Sequence, residues 1–440
     1  MAREPLAAAL GALGVRPGHR LGVLGAQDLH VAAHRAAARL DAALVPLPWE
    51  TRPDRLADIT ARMGVEAWVT DAAGQALVAA AGDALPRVVV DGGLRGEGGP
   101  LPRPRHRGGT AAVLLTSGTT GRPKIVTISR TALAAHAKAA SHRLRSTRRS
   151  VWLAALPLHH IGGVALLDRC LRTGARIVPL ERFGPEAAMD VMEREGVTHV
   201  SLVPTMLHRL VGTKRGPPAS LECALVGGDR LDPALLDAAL AAGWPAWPTY
   251  GLTEACSQVA TATPAEARDH RGTVGRPLEG VTVRIVGPDG SPRGADEEGE
   301  VEVAGTTVIG SPLRTGDTGY LDEAGRLYVT GRVSERIVSG GENVDAVEVE
   351  AVLRRHPAVL DACVVGVPDP EWGEQVAAAV VRRGEASVDA MALASWCTHE
   401  MAAHQRPRRF LFLAEVPRTE NGKPRRGDVR QRVLQETVPT

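Results

Sequence analysis

The chain has 440 residues, of which 23% are charged, and a formal net charge of +2. This length predicts about two to four domains, and the balanced charge argues against nucleic acid or a membrane surface as a partner. The composition therefore favours an enzyme of ordinary size that acts on small molecules.

The cysteines and the apolar segments both bear on location. Five cysteines occur without a C-x-x-C pair or a metal-ligand spacing, which favours packed thiols in a reducing compartment. No stretch approaches the continuous apolar length of a membrane span, and the first residues lack the apolar core of a signal peptide. We therefore expect a cytoplasmic protein without a membrane span.

Apolar and helical segments alternate along the first part of the chain. A strand-helix-strand pattern covers residues 21–47 and recurs around residues 53–70 and 151–180. Further on, helical patterns at 185–195 and 233–242 separate short apolar runs. The alternation predicts an α/β fold in which helices cover mostly parallel sheets.

The pattern changes after Gly272, where turn-rich β structure predicts a small β-subdomain. The expected strands of this subdomain are 281–286, 300–303 and 326–329. Beyond Gly331 the pattern predicts a compact α+β module with helices at 345–355 and 387–401, strands at 361–366 and 375–382, and a basic tail. We therefore expect a large N-terminal domain, residues 1–332, followed by a small mobile α+β domain, residues 333–440.

A hydroxyl- and glycine-rich loop at residues 116–124 reads Thr-Ser-Gly-Thr-Thr-Gly-Arg-Pro-Lys between two apolar runs, 111–115 and 125–128. Its glycines permit positive φ and expose several N–H groups together, and its hydroxyls and lysine can contact phosphate oxygens. A Walker loop is disfavoured because Lys124 follows Pro123 and leads into a strand. A polar hairpin turn stays open as the alternative for the bare motif. The candidate phosphate-binding residues are Thr116, Ser117, Gly118, Thr119, Thr120, Gly121 and Lys124.

A second string, Tyr-Gly-Leu-Thr-Glu, occupies residues 250–254. A base can stack on Tyr250, Thr253 can bond to phosphate, and Glu254 can hold Mg²⁺. Taken alone, the string is equally compatible with a strand end followed by a helix cap.

Four further motifs follow in order: Thr-Gly-Asp at 315–317, Gly-Arg at 331–332, Ser-Gly-Gly-Glu-Asn at 339–343, and Arg-Thr-Glu-Asn-Gly-Lys at 418–423. Each is weak alone, but their order and spacing over nearly the whole chain resemble the adenylate-forming superfamily. That superfamily includes acyl- and aryl-CoA synthetases, luciferases and peptide-synthetase adenylation domains. The resemblance implies that ATP and a carboxylic acid form an acyl-adenylate, which the thiol of coenzyme A then attacks.

The resemblance also implies roles for residues around the nucleotide. The loop 116–124 would wrap the ATP phosphates. Tyr250 would stack on adenine beside Gly251, and the backbone of Gly227 and Gly228 would cover the other face of the base.

The charged groups around the phosphates and the ribose would come from four further residues. Thr253 would bond to the α-phosphate and Glu254 would coordinate Mg²⁺. Asp317 and Arg332 would contact the ribose hydroxyls. Lys423 would bridge the substrate carboxylate and the α-phosphate, where it relieves charge repulsion as the carboxylate attacks.

Two positions depart from the superfamily pattern. The hinge for rotation of the C-terminal domain is usually Asp or Lys, and here it is Ser334. The phosphate loop commonly continues with glycine, whereas this chain has Ile125. We expect Ile125 to alter strand packing rather than phosphate contacts.

The segment 156–163, Leu-Pro-Leu-His-His-Ile-Gly-Gly, resembles the Pro-Leu-Phe-His segment that borders the acyl pocket. His159 takes the aromatic position and His160 the histidine position. A zinc site is disfavoured, because adjacent residues on a strand would point to opposite faces. The resemblance adds Gly163, Thr205 and Ser257 to the acyl pocket.

Arg169 falls on the helix that follows this segment, and a cation there suits a substrate with a second carboxylate, which a guanidinium binds bidentately. The alternative is a surface helix residue paired with Asp168 or another neighbour. With the chain length, these segments are most similar to the ligases that activate o-succinylbenzoate in menaquinone biosynthesis. Another aryl or short acyl acid, a non-catalytic relative and a homodimer all stay open.

Overall fold

The computed structural model describes residues 5–48, 51, 53–82, 85–90, 108–116, 124–333, 336–339, 342–384, 388–418 and 424–436. Within these ranges no helix combines the length and the apolar character needed to cross a bilayer.

The chain forms two compact units. The first comprises Met1–Arg284, Glu302–Leu313 and Leu321–Tyr328. The second comprises Ile285–Val301, Arg314–Tyr320 and Val329–Thr440. Because the chain passes between the units several times, a single domain boundary at 332/333 stays a prediction.

Six strands form the first sheet: β1 (Arg20–Leu24), β2 (Ala43–Pro46), β3 (Ala67–Thr70), β4 (Arg87–Val89), β5 (Thr110–Thr116) and β6 (Lys124–Ser129). Their order is β4-β3-β1-β2-β5-β6, and only β5 and β6 pair antiparallel. The helices of this region are α1 (Pro5–Ala12), α2 (Gln27–Leu40), α3 (Pro53–Met63), α4 (Ala72–Ala80) and α5 (Arg130–Arg143).

Successive residues of these strands enter two different apolar clusters. Trp68 and Val113 belong to one cluster, whereas Val69 and Leu114 belong to the other. Since neighbouring side chains on a strand point to opposite faces, the sheet is buried on both sides, as the continuous apolar runs predict.

Seven strands form the second sheet: β7 (Val151–Ala154), β8 (Arg176–Pro179), β9 (His199–Leu202), β10 (Cys223–Val226), β11 (Ala246–Leu252), β12 (Ser257–Thr261) and β13 (Arg276–Pro277). Their order is β13-β12-β11-β10-β9-β7-β8. The pairs from β8 to β11 are parallel, and β12 and β13 add antiparallel partners. Its helices are α6 (Ile161–Thr173), α7 (Pro185–Glu195), α8 (Pro204–Gly212), α9 (Pro233–Ala241) and α10 (Pro264–Asp269).

The predicted turn-rich region is a four-stranded sheet. Its strands are β14 (Val281–Val286), β15 (Gly299–Gly305), β16 (Leu313–Leu321) and β17 (Leu327–Arg332), in that order.

In the described residues, the C-terminal part of the second unit forms five strands and three α-helices. The strands are β18 (Arg336–Ser339), β19 (Glu342–Asp345), β20 (Val359–Asp369), β21 (Gly373–Arg382) and β22 (Arg409–Leu413). The helices are α11 (Ala346–Arg354), α12 (Ala390–Glu400) and α13 (Arg426–Glu436). Strand β21 pairs with β18 and β20 antiparallel and with β22 in parallel. The fold class predicted from the sequence, layered α/β followed by a small α+β module, is confirmed.

The junction of α4 with β1 gives a first test of the fold. Gly74 lies so close to this strand that a Cβ atom would come 2.1 Å from the carbonyl oxygen of Leu24. We expect Gly74→Ala to lower the free energy of unfolding of the first unit by about 1–3 kcal/mol, because the backbone must move apart. Urea unfolding measures this change.

The matched control is Gly11→Ala in α1, where a Cβ atom would meet nothing within 4 Å. This variant should be neutral or more stable by about 0.5–1 kcal/mol, since alanine favours helix. Equal effects of the two substitutions would contradict the close packing of α4 on β1.

Candidate active site

The phosphate-loop motif is held between β5 and β6. Thr116 and Lys124 are the last and first residues of these strands, and they lie opposite each other in the antiparallel pair. The hydroxyl of Thr116 also faces the carbonyl oxygen of Lys124 at 3.4 Å. The two strands predicted on either side of the loop are confirmed. The inner candidates, Ser117, Gly118, Thr119, Thr120 and Gly121, lie outside the described residues.

Ile125, the departure from the superfamily loop, lies within β6. It faces Leu115 across the pair and packs against the apolar cluster that contains Trp68 and Val113. This position agrees with the expectation that the isoleucine affects strand packing.

The string at 250–254 lies where β11 turns into β12. Strand β11 ends at Leu252, a 3₁₀ turn spans Thr253–Ala255, and the next two residues, Cys256 and Ser257, have φ of +57° and +106°. Two consecutive non-glycine residues at positive φ are strained, which is characteristic of functional sites.

Gly251 allows the chain to reverse direction between β11 and β12. A Cβ atom at this position would lie 1.7 Å from the carbonyl oxygen of Ser257, and the pairing register shifts between Tyr250 and Gly251. Only glycine permits the two backbones to approach so closely. The turn therefore fixes where the half-buried Tyr250, Thr253 and Glu254 lie.

An ion pair joins the two motifs within the first unit. The Nζ of Lys124 lies 2.9 Å from Oε1 of Glu254, and the side chains are 61% and 22% exposed. The backbone oxygen of Glu254 accepts a hydrogen bond from Ile309. The exit of the phosphate loop thus lies beside the predicted magnesium carboxylate. An exposed pair contributes at most about 1 kcal/mol, so incoming phosphate and metal can separate it at little cost.

Two predicted ribose-binding residues meet within the second unit. The Nε of Arg332 donates to Oδ1 of Asp317 at 2.8 Å, and the aspartate is largely buried. Lys423 and Ser334 lie outside the described residues, so their roles stay predictions.

The glycine pair predicted beside the adenine lies just after β10 in the first unit. Gly227 packs against Thr249 on β11, and Gly228 has a φ of +84°. The pair therefore follows the strand next to the one that carries Tyr250.

The histidine pair differs from the expectation. His159 and His160 lie in the turn before α6, not on a strand, and their ring centroids are 4.2 Å apart. The prediction that the two rings point to opposite faces of a strand is therefore wrong. His160 occupies the N-cap position of α6, and Gly163 in its first turn is buried against Leu158. Thr205 is exposed in the first turn of α8.

Arg169 is buried, with only 2% of its surface exposed. Its guanidinium stacks on Trp152 at 4.1 Å from the ring centroid, and Nη1 donates to Oε1 of Gln258 at 3.2 Å. The surface alternative, with Asp168 as partner, is wrong, because Asp168 instead pairs with Arg172. Among the described residues Arg169 forms no ion pair, and its buried Nε has no hydrogen-bond partner.

The neighbours of Arg169 are neutral or already paired. Burial acts to raise the pKa of Asp168, but His34 and Arg172 outweigh it and leave this pKa below its ordinary value. Burial and the charge of Arg169 lower the pKa of His136 to about 3, so this imidazole is neutral. Burial also lowers the pKa of Arg169 itself. Among the residues that the structure describes, no carboxylate pairs with the guanidinium of Arg169.

Sequence reasoning missed Trp152 and Gln258, the two residues that hold Arg169. Trp152 is part of an apolar strand, and Gln258 is 89 positions away from Arg169 in the chain. The only available signal was the position of Gln258 directly after Ser257, a predicted pocket residue.

The chain is similar to known proteins over most of its length. The model of the AMP-binding enzyme family matches residues 3–311, and that of the AMP-binding enzyme C-terminal domain matches residues 348–423. The 2-succinylbenzoate–CoA ligase of Bacillus velezensis is 37% identical over 329 residues, which are 71% of this chain and 67% of that protein.

Two solved structures of o-succinylbenzoate CoA synthetase (MenE) from Bacillus subtilis are also similar at 30% identity. The complex with the acyl-adenylate intermediate OSB-AMP has a TM-score of 0.87 and covers 99% of this chain and 92% of that one. The complex with ATP and magnesium ion has a TM-score of 0.86 and covers 97% and 92%.

The close approach at Gly251 gives a test of the site. We expect Gly251→Ala to weaken ATP binding at least about tenfold, because the added Cβ displaces the turn that carries Thr253 and Glu254. Isothermal titration calorimetry measures the ATP affinity.

The control is Gly212→Ala at the end of α8, where a Cβ atom would meet nothing within 4 Å. This variant should bind ATP like the wild type. Unchanged ATP affinity in Gly251→Ala would show that the turn does not position the nucleotide-binding groups.

Proposed function

The chain belongs to the AMP-binding enzyme family, and from this premise we propose that it is an ATP-dependent ligase that joins o-succinylbenzoate to coenzyme A. The reaction is AMP-forming acid–thiol ligation, with ATP, the acid and coenzyme A as substrates and Mg²⁺ as the metal. We infer that it serves menaquinone biosynthesis, and the similarity to 2-succinylbenzoate–CoA ligases supports the reaction.

The reaction has two steps. A carboxylate oxygen of the acid attacks the α-phosphorus of ATP, and pyrophosphate leaves as the acyl-adenylate forms. The thiol of coenzyme A then attacks the acyl carbon, loses its proton and releases AMP. Both reactants of the first step are anionic, so catalysis consists largely of charge neutralisation and positioning.

Several residues of this chain can neutralise the charges and position the reactants. Carboxylate oxygen is a preferred ligand of Mg²⁺, and the partly exposed carboxylate of Glu254 fits the ion. Bound there, Mg²⁺ supplies charge stabilisation for the phosphates. We expect Lys124 and Thr253 to contact phosphate oxygens, and Lys423 to neutralise charge between the attacking carboxylate and the α-phosphate.

The burial of Arg169 is the observation that supports the named acid. Burying an ion costs several kcal/mol unless it is compensated, and the described residues provide no carboxylate for it. o-Succinylbenzoate has two carboxylates. Its succinyl carboxylate is activated, and its ring carboxylate is the partner that Arg169 lacks. We expect His160, Gly163, Thr205 and Ser257 to contact the rest of the acid.

The thiols support a cytoplasmic location. All five cysteines are free and buried, as is common in proteins of reducing compartments. A homodimer is part of the same proposal, and sedimentation analysis tests it against the 46.3 kDa mass of the single chain.

Arg169→Leu tests the named acid. We expect kcat/KM for o-succinylbenzoate to fall about 10- to 100-fold, the value of a charge-assisted hydrogen bond. The activity toward 4-oxo-4-phenylbutanoate, which lacks only the ring carboxylate, should change less than about threefold. Pyrophosphate release measures both reactions.

Arg176→Leu is the matched control, since this arginine is half exposed and pairs with Glu195. It should leave both activities unchanged. Full turnover of o-succinylbenzoate by Arg169→Leu, or a preference of the wild type for another aryl or short acyl acid, would overturn the named acid.

Lys423→Ala tests whether this lysine acts in adenylate formation but not in thioester formation. We expect adenylate formation to fall at least about 100-fold, because the attacking carboxylate loses its neutralising cation. Thioester formation from supplied acyl-adenylate should stay within about threefold of the wild type. Single-turnover assays separate the steps, and Lys138→Ala, at an 80% exposed lysine, is the control. Equal loss in both steps would contradict the role of Lys423.

A further inference from the structure

We propose that Gln258 is the positioning residue for acid recognition, holding the guanidinium of Arg169 in the orientation that receives the ring carboxylate. This inference rests on the proposed function. It assigns Gln258 no contact with the substrate, because the residue acts through Arg169.

The hydrogen bonds around Gln258 determine which way its amide points. The hydroxyl of Thr249 donates to the carbonyl oxygen of Ala260 at 2.8 Å, so it can only accept from Thr261, 2.9 Å away. The hydroxyl of Thr261 thereby uses its proton on Thr249 and accepts from Nε2 of Gln258 at 2.8 Å. The amide oxygen is consequently the atom presented to Arg169.

A third contact fixes the backbone of Gln258. Its N–H donates to Nε2 of the buried His136 at 3.2 Å, which places the imidazole proton on Nδ1. Gln258 is therefore held through its main chain by α5 and through its side chain by Thr261 of β12, whose hydroxyl is in turn oriented by Thr249 of β11. It provides a rigid acceptor for the guanidinium.

Gln258 occupies one side of the guanidinium and leaves the other side available. It engages Nη1, while Trp152 covers one face of the plane. The edge of the guanidinium that carries Nε and Nη2 offers the remaining N–H donors. Nε has no hydrogen-bond partner among the described residues. Two parallel N–H donors match the two oxygens of a carboxylate.

The neutrality of Gln258 is the second part of the inference. An amide oxygen orients the guanidinium without cancelling its charge, whereas a carboxylate at the same position would pair with it internally. The chain thus holds Arg169 in place and keeps its charge available for a ligand anion.

Gln258 also connects the two halves of the site. It lies on β12, four residues after Glu254 and on the same hairpin. One hairpin therefore positions the magnesium carboxylate and, through Gln258, the cation that recognises the acid.

The test compares Gln258→Glu and Gln258→Leu with the wild type on o-succinylbenzoate and 4-oxo-4-phenylbutanoate. We expect Gln258→Glu to raise KM for o-succinylbenzoate at least about tenfold, because the new carboxylate competes for Arg169. Gln258→Leu should raise it about three- to tenfold. KM for ATP and both parameters for 4-oxo-4-phenylbutanoate should stay within about threefold. A merely structural role would impair both acids alike.

A double-mutant cycle tests whether Gln258 acts through Arg169. In the Arg169→Leu background, Gln258→Glu should cause no further loss on o-succinylbenzoate. Gln27→Leu is the matched control, because the side chain of Gln27 accepts a hydrogen bond from Leu180 elsewhere in the first unit. It should leave the selectivity between the two acids unchanged.

The outcomes separate the two proposals. A wild type that does not prefer o-succinylbenzoate overturns the proposed function, and this inference with it. A selective wild type whose Gln258 variants retain their KM, or lose activity equally on both acids, overturns the inference alone.

Discussion

The uncompensated positive charge of Arg169 is the constraint on which this account of acid recognition depends. Stacking on an indole stabilises a desolvated cation by about 2 kcal/mol, and one hydrogen bond from a charged donor contributes about 1.5–3 kcal/mol. Together these are comparable with the several kcal/mol that burial of an ion costs. The charge is therefore tolerated but not neutralised, and Asp168, its neighbour on α6, is already paired with Arg172. In the proposed function, a carboxylate of the acid is the missing partner of this charge.

The hairpin of β11 and β12 connects Arg169 structurally to Glu254 and Lys124. Close approach at Gly251 and two consecutive residues at positive φ set the path of the turn. Glu254 on the turn pairs with Lys124 at the exit of the phosphate loop, and Gln258 on the following strand holds Arg169. In the proposed function, activation of one carboxylate and recognition of the other therefore depend on the same hairpin, which would fix both ends of the acid relative to the nucleotide.

Local sequence patterns predicted many of the strands and helices. Features that depend on packing between distant segments were not predicted. Strands β5 and β6 were predicted to within one residue, since apolar runs and a glycine-rich loop define them. Strand β22 and helix α13 were missed, because arginines in the basic tail obscured the buried valines of α13. The burial of Arg169 was not predictable either, since α6 is covered along most of its length by distant segments. No local pattern singled out Gln258.

A crystal structure of this chain with o-succinylbenzoyl-adenylate tests the central claim most directly. The measured quantity is the distance from the free ring carboxylate to the guanidinium of Arg169. We expect two carboxylate oxygens at about 2.7–2.9 Å from Nε and Nη2, with Gln258 still hydrogen-bonded to Nη1. A ring carboxylate held by other residues, with Arg169 unchanged on Trp152 and no ligand beside it, would contradict the account.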